Sequence, residues 1–495
     1  MKQGRRGGGI WCALLVLALA VPGAGAGRRP RRPAPVVPPA ATPIEYPEAL
    51  APFLEALDNL DARRVPRVRV LQFGDSHTAA DYWSGRIRAR LQARFGDAGS
   101  GIILSGRPWR GYTHAGVSLQ EGLHWPAQSL RSGDCDGLVG LPGASVAPVP
   151  DQAFTLQAAF AAFRVHLLVP AGSGSAQVLA RVTDPDAPDA SAQPVPVPCL
   201  STDPLPAGAP AEPGNAPREP VYAPAAEGVP PTLVPPAPEA CLQILGLDGF
   251  SAETSHRLAL TLPEHTRLLG VDLLSGRPGL IYDELGLNGA GLLDLARWKP
   301  ELRRALLARI HPDLVVLAYG TNDMGMSAAA REGYPDSVRS LLQALRAEAG
   351  APILLIGPLD RLGRSKRERA ALQADADWII PTLREACLAT GCAFWDARQA
   401  MGGSGALLRW QRAGLAQPDL VHLNGAGYER LGDKTADALL ALPRPEAAST
   451  PSRPVRAPRP PARRPALRRP PAGPRRHPGG PQRPPAPGPR HRRRR

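Results

Sequence analysis

The sequence predicts an α/β fold: a parallel sheet with helices, interrupted by an inserted antiparallel β-sandwich. Short, largely apolar runs at 68–73, 314–319, 352–356 and 392–395 are bounded by turns and alternate with helical stretches, the pattern of parallel strands buried on both faces. Between residues 183 and 240 there are 17 prolines in 58 residues, too little apolar periodicity for packed core, so this stretch reads as a long loop or linker. Strand-like runs flank it at 163–169 and 176–182 on one side and at 242–247 and 257–262 on the other, which places a small β-sandwich between two halves of the α/β domain.

Taken in order, the chain starts with Lys2, Arg5 and Arg6, an apolar stretch from Ile10 to Val21, and Ala24-Gly25-Ala26. This has the layout of a secretory signal over 1–26. The apolar run is shorter than the ~20 residues that span a bilayer, so an uncleaved anchor is the weaker reading and no transmembrane span is expected in the mature chain. A linker over 27–45 follows. The α/β domain is expected over 46–128 and again over 276–443, with the insert over 129–275 and an Arg/Pro-rich tail over 444–495. Just after the first strand, Trp83, Ile87, Leu91 and Phe95 recur every four residues, the buried stripe of a helix.

Charge divides along the same lines. Of 59 Lys+Arg, seven lie in 1–32 and sixteen in 444–495, which leaves 36 basic and 43 acidic residues in 33–443. A mildly acidic body with basic ends argues against a specific nucleic-acid fold, whose basic footprint lies on a folded face. The tail, with 16 prolines and 16 arginines in 52 residues, is expected to be disordered and offers a contact for an anionic cell-envelope polymer. Export would put the five cysteines beyond Cys12 where disulfides persist. Cys387 with Cys392, and Cys199 with Cys241, are candidate pairs that would leave Cys135, since spacing alone does not fix connectivity.

Four short elements carry chemistry. Gly74-Asp75-Ser76-His77-Thr78 ends the first strand just before a helix, where backbone N–H groups and the helix dipole suit a developing oxyanion. Asp419-Leu420-Val421-His422 supplies an imidazole to take the serine proton and a carboxylate to fix its tautomer, both from one short turn. Tyr319-Gly320-Thr321-Asn322-Asp323 follows another apolar strand. Since parallel strands end at one rim, Asn322 falls beside Ser76 if the two strands are neighbours. Leu287-Asn288-Gly289-Ala290-Gly291 offers a glycine N–H that can approach a reacting carbonyl. Trp109, Arg110, Tyr112, His114 and Trp125 are candidates for a sugar-stacking wall.

In this order the four elements resemble the SGNH hydrolases, the GDSL-like esterases. The resemblance implies a flavodoxin-like three-layer domain with Ser76 as nucleophile, His422 as base and Asp419 as its orienting acid. Ser76, Gly289 and Asn322 would form the oxyanion hole, with Gly286 or Gly291 as substitutes for Gly289. Typical members carry Leu where this chain has His77. With Thr78, that departure is closer to exported bacterial polysaccharide O-acetylesterases, including those acting on peptidoglycan, some of which carry a carbohydrate-binding β-sandwich. The expected function is then an exported, periplasmic, envelope-associated or secreted esterase acting on an acetylated glycan, with no cofactor and no metal. An acetyltransferase using the same triad, a glycan-binding protein with a vestigial triad, and a divalent-ion site at Asp75, His77, Asp323, Asp419 and His422 are the competing readings.

Overall fold

The computed structural model describes residues 42–104, 112–119, 125–184, 193–205 and 240–444. The expected signal, the linker up to residue 41, Trp109, Arg110, most of the Pro-rich stretch and the tail beyond Arg444 lie outside the described residues.

Five parallel strands form the sheet that carries the motifs: β1 (Arg67–Gly74), β2 (Gly279–Gly286), β3 (Leu314–Ala318), β4 (Ile353–Ile356) and β5 (Ala393–Trp395). Their order is β2-β1-β3-β4-β5, an order that puts the switch in winding direction between β1 and β3. β2 is not among the apolar runs because Asp283 and Glu284 interrupt it. Both are nonetheless buried, and Arg69 on β1 holds Asp283 through two hydrogen bonds of 2.7 and 2.8 Å.

Alternate residues of these strands feed two separate apolar clusters. Val70, Tyr282 and Val316 pack with α1 (Ala51–Asp61), α2 (Tyr82–Phe95) and, after the last strand, α6 (Gly425–Leu440). Phe73, Leu285 and Leu317 pack on the opposite face with α3 (Pro300–Ile310), α4 (Tyr334–Ala349) and α5 (Lys366–Thr390). The period of two along a strand therefore gives helices on both sides of one sheet. Trp83, Ile87, Leu91 and Phe95 are all buried.

Two antiparallel sheets accompany it. One runs from Cys199–Leu205 through Ala240–Asp248, Ala162–Pro170 and Arg267–Leu274 to Ala144–Val146 and Ala127–Ser129, with Gly101–Ile103 also on Arg267–Leu274. The other is Ser118–Leu119, Phe154–Ala159, Ser255–Thr261, Leu179–Thr183 and Val195–Pro196. Val165 and Leu245 of the first and Leu156 and Leu258 of the second belong to one apolar cluster. The Pro-rich stretch is thus not loop throughout. Cys199–Leu205 forms an edge strand, where Pro204 is tolerated because one side of the strand needs no donor. Among the described residues no helix is long and apolar enough to cross a membrane.

The expected disulfides are absent, and all five described cysteines are free. Cys199 lies opposite Leu245 while Cys241 lies opposite Pro204, so the two sit at opposite ends of one strand pair, roughly 14 Å apart at ~3.4 Å per residue, twice a disulfide's reach. Cys387 and Cys392 are joined through backbone, with the Cys392 N–H donating to the Cys387 carbonyl at 2.9 Å. Their thiols turn to other groups: Cys387 donates to the Ala393 carbonyl at 3.4 Å and Cys392 meets the Thr390 hydroxyl at 3.0 Å.

Candidate active site

Register brings the motifs together. Gly74, the last residue of β1, lies opposite Gly286 of β2 and Ala318 of β3, so the loops beginning at Asp75, Leu287 and Tyr319 leave the same sheet edge at one level. At Gly74 a Cβ would fall 2.1 Å from the Thr78 hydroxyl, which shows how sharply the chain turns there. The turn is closed by Thr78 and Ala79 N–H groups donating to the Asp75 carbonyl at 3.0 and 3.1 Å. The Asp75 carboxylate accepts from the His77 N–H at 2.9 Å.

Ser76, at the apex, is half-buried. Its Oγ lies 2.8 Å from His422 Nε2, although 346 residues separate them in the chain. His422 Nδ1 lies 2.6 Å from Asp419 Oδ2. The other oxygen of Asp419 accepts from the N–H groups of Val421 and His422 at 3.0 and 2.9 Å. One carboxylate thus shapes the turn and orients the ring. Burial works against its charge, but these hydrogen bonds hold it below the usual carboxylate range. Leu420, at the centre of the turn, takes φ 65°, a left-handed conformation rare for a branched residue. The turn leads into α6, whose first turn Asn424 caps by accepting from the Gly427 N–H at 3.0 Å.

Gly289 is the second central residue of a tight turn closed by the Ala290 N–H on the Leu287 carbonyl at 3.1 Å, and its φ of 73° requires the freedom of glycine. Its Cβ position is open, with Arg131 at 3.8 Å as nearest neighbour. At Gly286 and Gly291, by contrast, a Cβ would meet Ala79 N at 2.3 Å and Asp323 Oδ1 at 2.8 Å. Those two serve close packing. The Asn322 amide donates to the Ala290 carbonyl at 3.1 Å, which fixes its loop to the Gly289 turn and leaves the amide's second hydrogen for another acceptor. Neither the Ser76 nor the Gly289 N–H is taken by a hydrogen bond among the described residues.

Sequence reasoning passed over Tyr428 and, outside the divalent-ion reading, gave His77 no place beside His422. His77 is buried, its Nδ1 lies 2.8 Å from the Tyr428 hydroxyl, and its ring is 5.2 Å from that of His422. Burial, and then the nearby His422, push its pKa down to about 3, so it stays neutral beside the base. Nothing in the sequence marks Tyr428, which reads as a core residue one turn into a helix. Burial pushes Asp75 up to about 7, with Asp323 adding repulsion. Tyr112, His114 and Trp125 do not form a wall: all three are buried, Tyr112 accepting from the Leu104 N–H at 2.9 Å. Among the described residues no group of three or more His, Cys, Asp or Glu is arranged to hold a metal ion.

The hydroxyl–imidazole–carboxylate chain, beside unclaimed N–H donors, suits nucleophilic attack on a carbonyl. The GDSL-like lipase/acylhydrolase family model matches residues 255–430. The match spans about a third of the chain and takes in four of the five strands of the parallel sheet. The chain is an SGNH-type carboxylic ester hydrolase, and the match holds Gly289, Asn322, Asp419 and His422 while Ser76 lies upstream of it. A solved structure entitled "Peptidoglycan O-acetylesterase in action, 5 min" shares the fold, with TM-score 0.59 and 22% identity over 80% of this chain and 98% of that one. An acetyl xylan esterase (TM-score 0.25, 20% identity, 33% of this chain and 83% of that one) and a lipase/acylhydrolase from Enterococcus faecalis (TM-score 0.24, 20% identity, 32% and 76%) share less of the GDSL-like chain. A search of curated proteins gave no match.

Proposed function

We propose that the protein is an exported serine esterase that removes O-acetyl groups from a cell-wall or extracellular polysaccharide. The observation that carries the chemistry is the pair of contacts at His422: 2.8 Å to Ser76 Oγ and 2.6 Å to Asp419 Oδ2. His422 takes the Ser76 proton as Oγ attacks the ester carbonyl, and Asp419 steadies the resulting imidazolium. The Ser76 and Gly289 N–H groups and the Asn322 amide receive the oxyanion. His422 returns the proton to the departing sugar hydroxyl, and water releases acetate by the same steps in reverse. The glycan substrate is supported by the shared fold with a structure named for peptidoglycan O-acetylesterase action. Export follows from the signal-like 1–26, and contact with an anionic envelope polymer from the arginines of 444–495.

The test is acetate release from O-acetylated peptidoglycan, compared with other acetylated polysaccharides and short-chain lipids. A fluorophosphonate probe is expected to label the parent and not Ser76→Ala. Labelling of both, or of neither, would remove Ser76 from its role.

A further inference from the structure

The loop that follows β4 bears on substrate choice. Leu362 donates its N–H to the Leu420 carbonyl at 3.0 Å, and Arg361 donates from its guanidinium to the Thr321 carbonyl at 3.1 Å. The loop therefore touches both the turn that holds His422 and the turn that holds Asn322. Residues 361–369 read Arg-Leu-Gly-Arg-Ser-Lys-Arg-Glu-Arg, five cations against one carboxylate, in a body with more acid than base.

Only Glu368 offsets that imbalance within the run, its carboxyl held low by capping hydrogen bonds and, in smaller part, by Arg364. Arg364, Lys366 and Arg367 are exposed, and their side chains make no hydrogen bond or ion pair among the described residues. The one carboxylate of the run, Glu368, is committed to capping α5: it accepts from the Arg364 and Ser365 N–H groups at 2.7 and 3.2 Å, while Ser365 accepts from the Glu368 N–H at 3.1 Å. Asp360 is buried against Arg398 at 3.0 Å and the Leu407 N–H at 2.9 Å. Asp419 belongs to His422. The positive end of α5 adds to the same field.

We propose that Arg364, Lys366 and Arg367 form a rim that binds an anionic group, carboxylate or phosphate, on the sugar chain carrying the ester. This rests on the glycan-esterase reading and narrows it to acidic polysaccharides. Guanidinium and ammonium groups at the mouth of a site draw in anionic substrate and hold its register, and their effect weakens with salt. Because none of these side chains contacts Ser76, His422 or Asp419 among the described residues, a small neutral ester is expected to gain nothing from them.

The experiment compares full-length parent with the variant Arg364→Glu/Lys366→Glu/Arg367→Glu. Hydrolysis of a neutral aryl acetate is measured with trigalacturonate, a phosphorylated oligosaccharide or a neutral trisaccharide as inhibitor. Unchanged aryl acetate kcat in the variant shows that it is folded. One or both acidic inhibitors should compete in the parent, with Ki raised about 10-fold in the variant and raised in the parent by salt. Which one competes identifies the anion. Equal inhibition by the neutral trisaccharide, or a Ki unmoved by charge reversal, would overturn the rim. No glycan ester is used, so failure to release acetate from any acetylated glycan would sink the substrate reading and leave this result standing.

Discussion

Asp419 divides its two oxygens between a backbone turn and an imidazole, so substitutions there separate orientation from charge. Asp419→Asn keeps an oxygen for the turn but offers the ring an amide. We expect kcat to fall by about 10²- to 10⁴-fold with the fold intact, read by aryl acetate kinetics alongside circular dichroism. Asn322→Ala removes one oxyanion donor and should cost about 10²- to 10³-fold in kcat with little change in KM. An Asn322→Ala loss confined to KM would mean that the amide binds ground-state substrate instead. His77 is a subtler case. It stands where the resemblance leads one to expect Leu, and the structure shows its ring held by Tyr428 and packed beside His422, where burial lowers its pKa.

At the scale of elements, the turn that bears Ser76 contains its own pH-dependent contribution to stability. Asp75 rises from an ordinary 3.8 to about 7 on burial. The folded state therefore keeps a proton that the unfolded chain releases, and its contribution is lost as pH rises from about 4 to 7. Buried His77 and His114, pushed down to about 3 and 4 by burial, act with the opposite sign over nearly the same range. Only a comparison of variants isolates Asp75. Asp75→Asn should show a Tm that falls less, or rises more, than that of the parent between pH 4 and 7, and an identical slope in both proteins would refute the assignment. The four apolar runs could be read as strands because each is short, largely apolar and bounded by turns. β2 could not, because Asp283 and Glu284 break its apolar run, and the arginine that holds Asp283 lies more than two hundred residues away. Two motif loops were legible for a related reason: parallel strands deliver their ends to one edge, so Ser76 and Asn322 could be assigned to it, whereas Gly289, beyond the unread β2, came only from the family resemblance. Contacts made between distant segments, such as the His77 ring with the Tyr428 hydroxyl or the Leu362 N–H with the Leu420 carbonyl, leave no local pattern to read.

Across the whole molecule, Arg69 on β1 connects the parallel sheet to its antiparallel neighbour. It holds Asp283 of β2 and also Asp272, at 2.8 and 3.0 Å, on the strand Arg267–Leu274. All three side chains are buried. Arg69→Met leaves two carboxylates without their counter-ion and should destabilise by about 3–5 kcal/mol, read from urea midpoints. Replacing all three by apolar residues of similar volume should restore most of that loss. Pairing of β1 with β2, beginning at Arg67 opposite Gly279, joins segments about 210 residues apart. On the ribosome, the strand that leads to Ser76 emerges early and waits for a flanking partner translated much later. The sheet edge cannot be completed until then, and such distant pairing makes spontaneous refolding slow, on the order of seconds rather than milliseconds. During that interval the nascent chain shows β1's apolar surface to whatever holds it, which gives a holding chaperone a defined segment to grip.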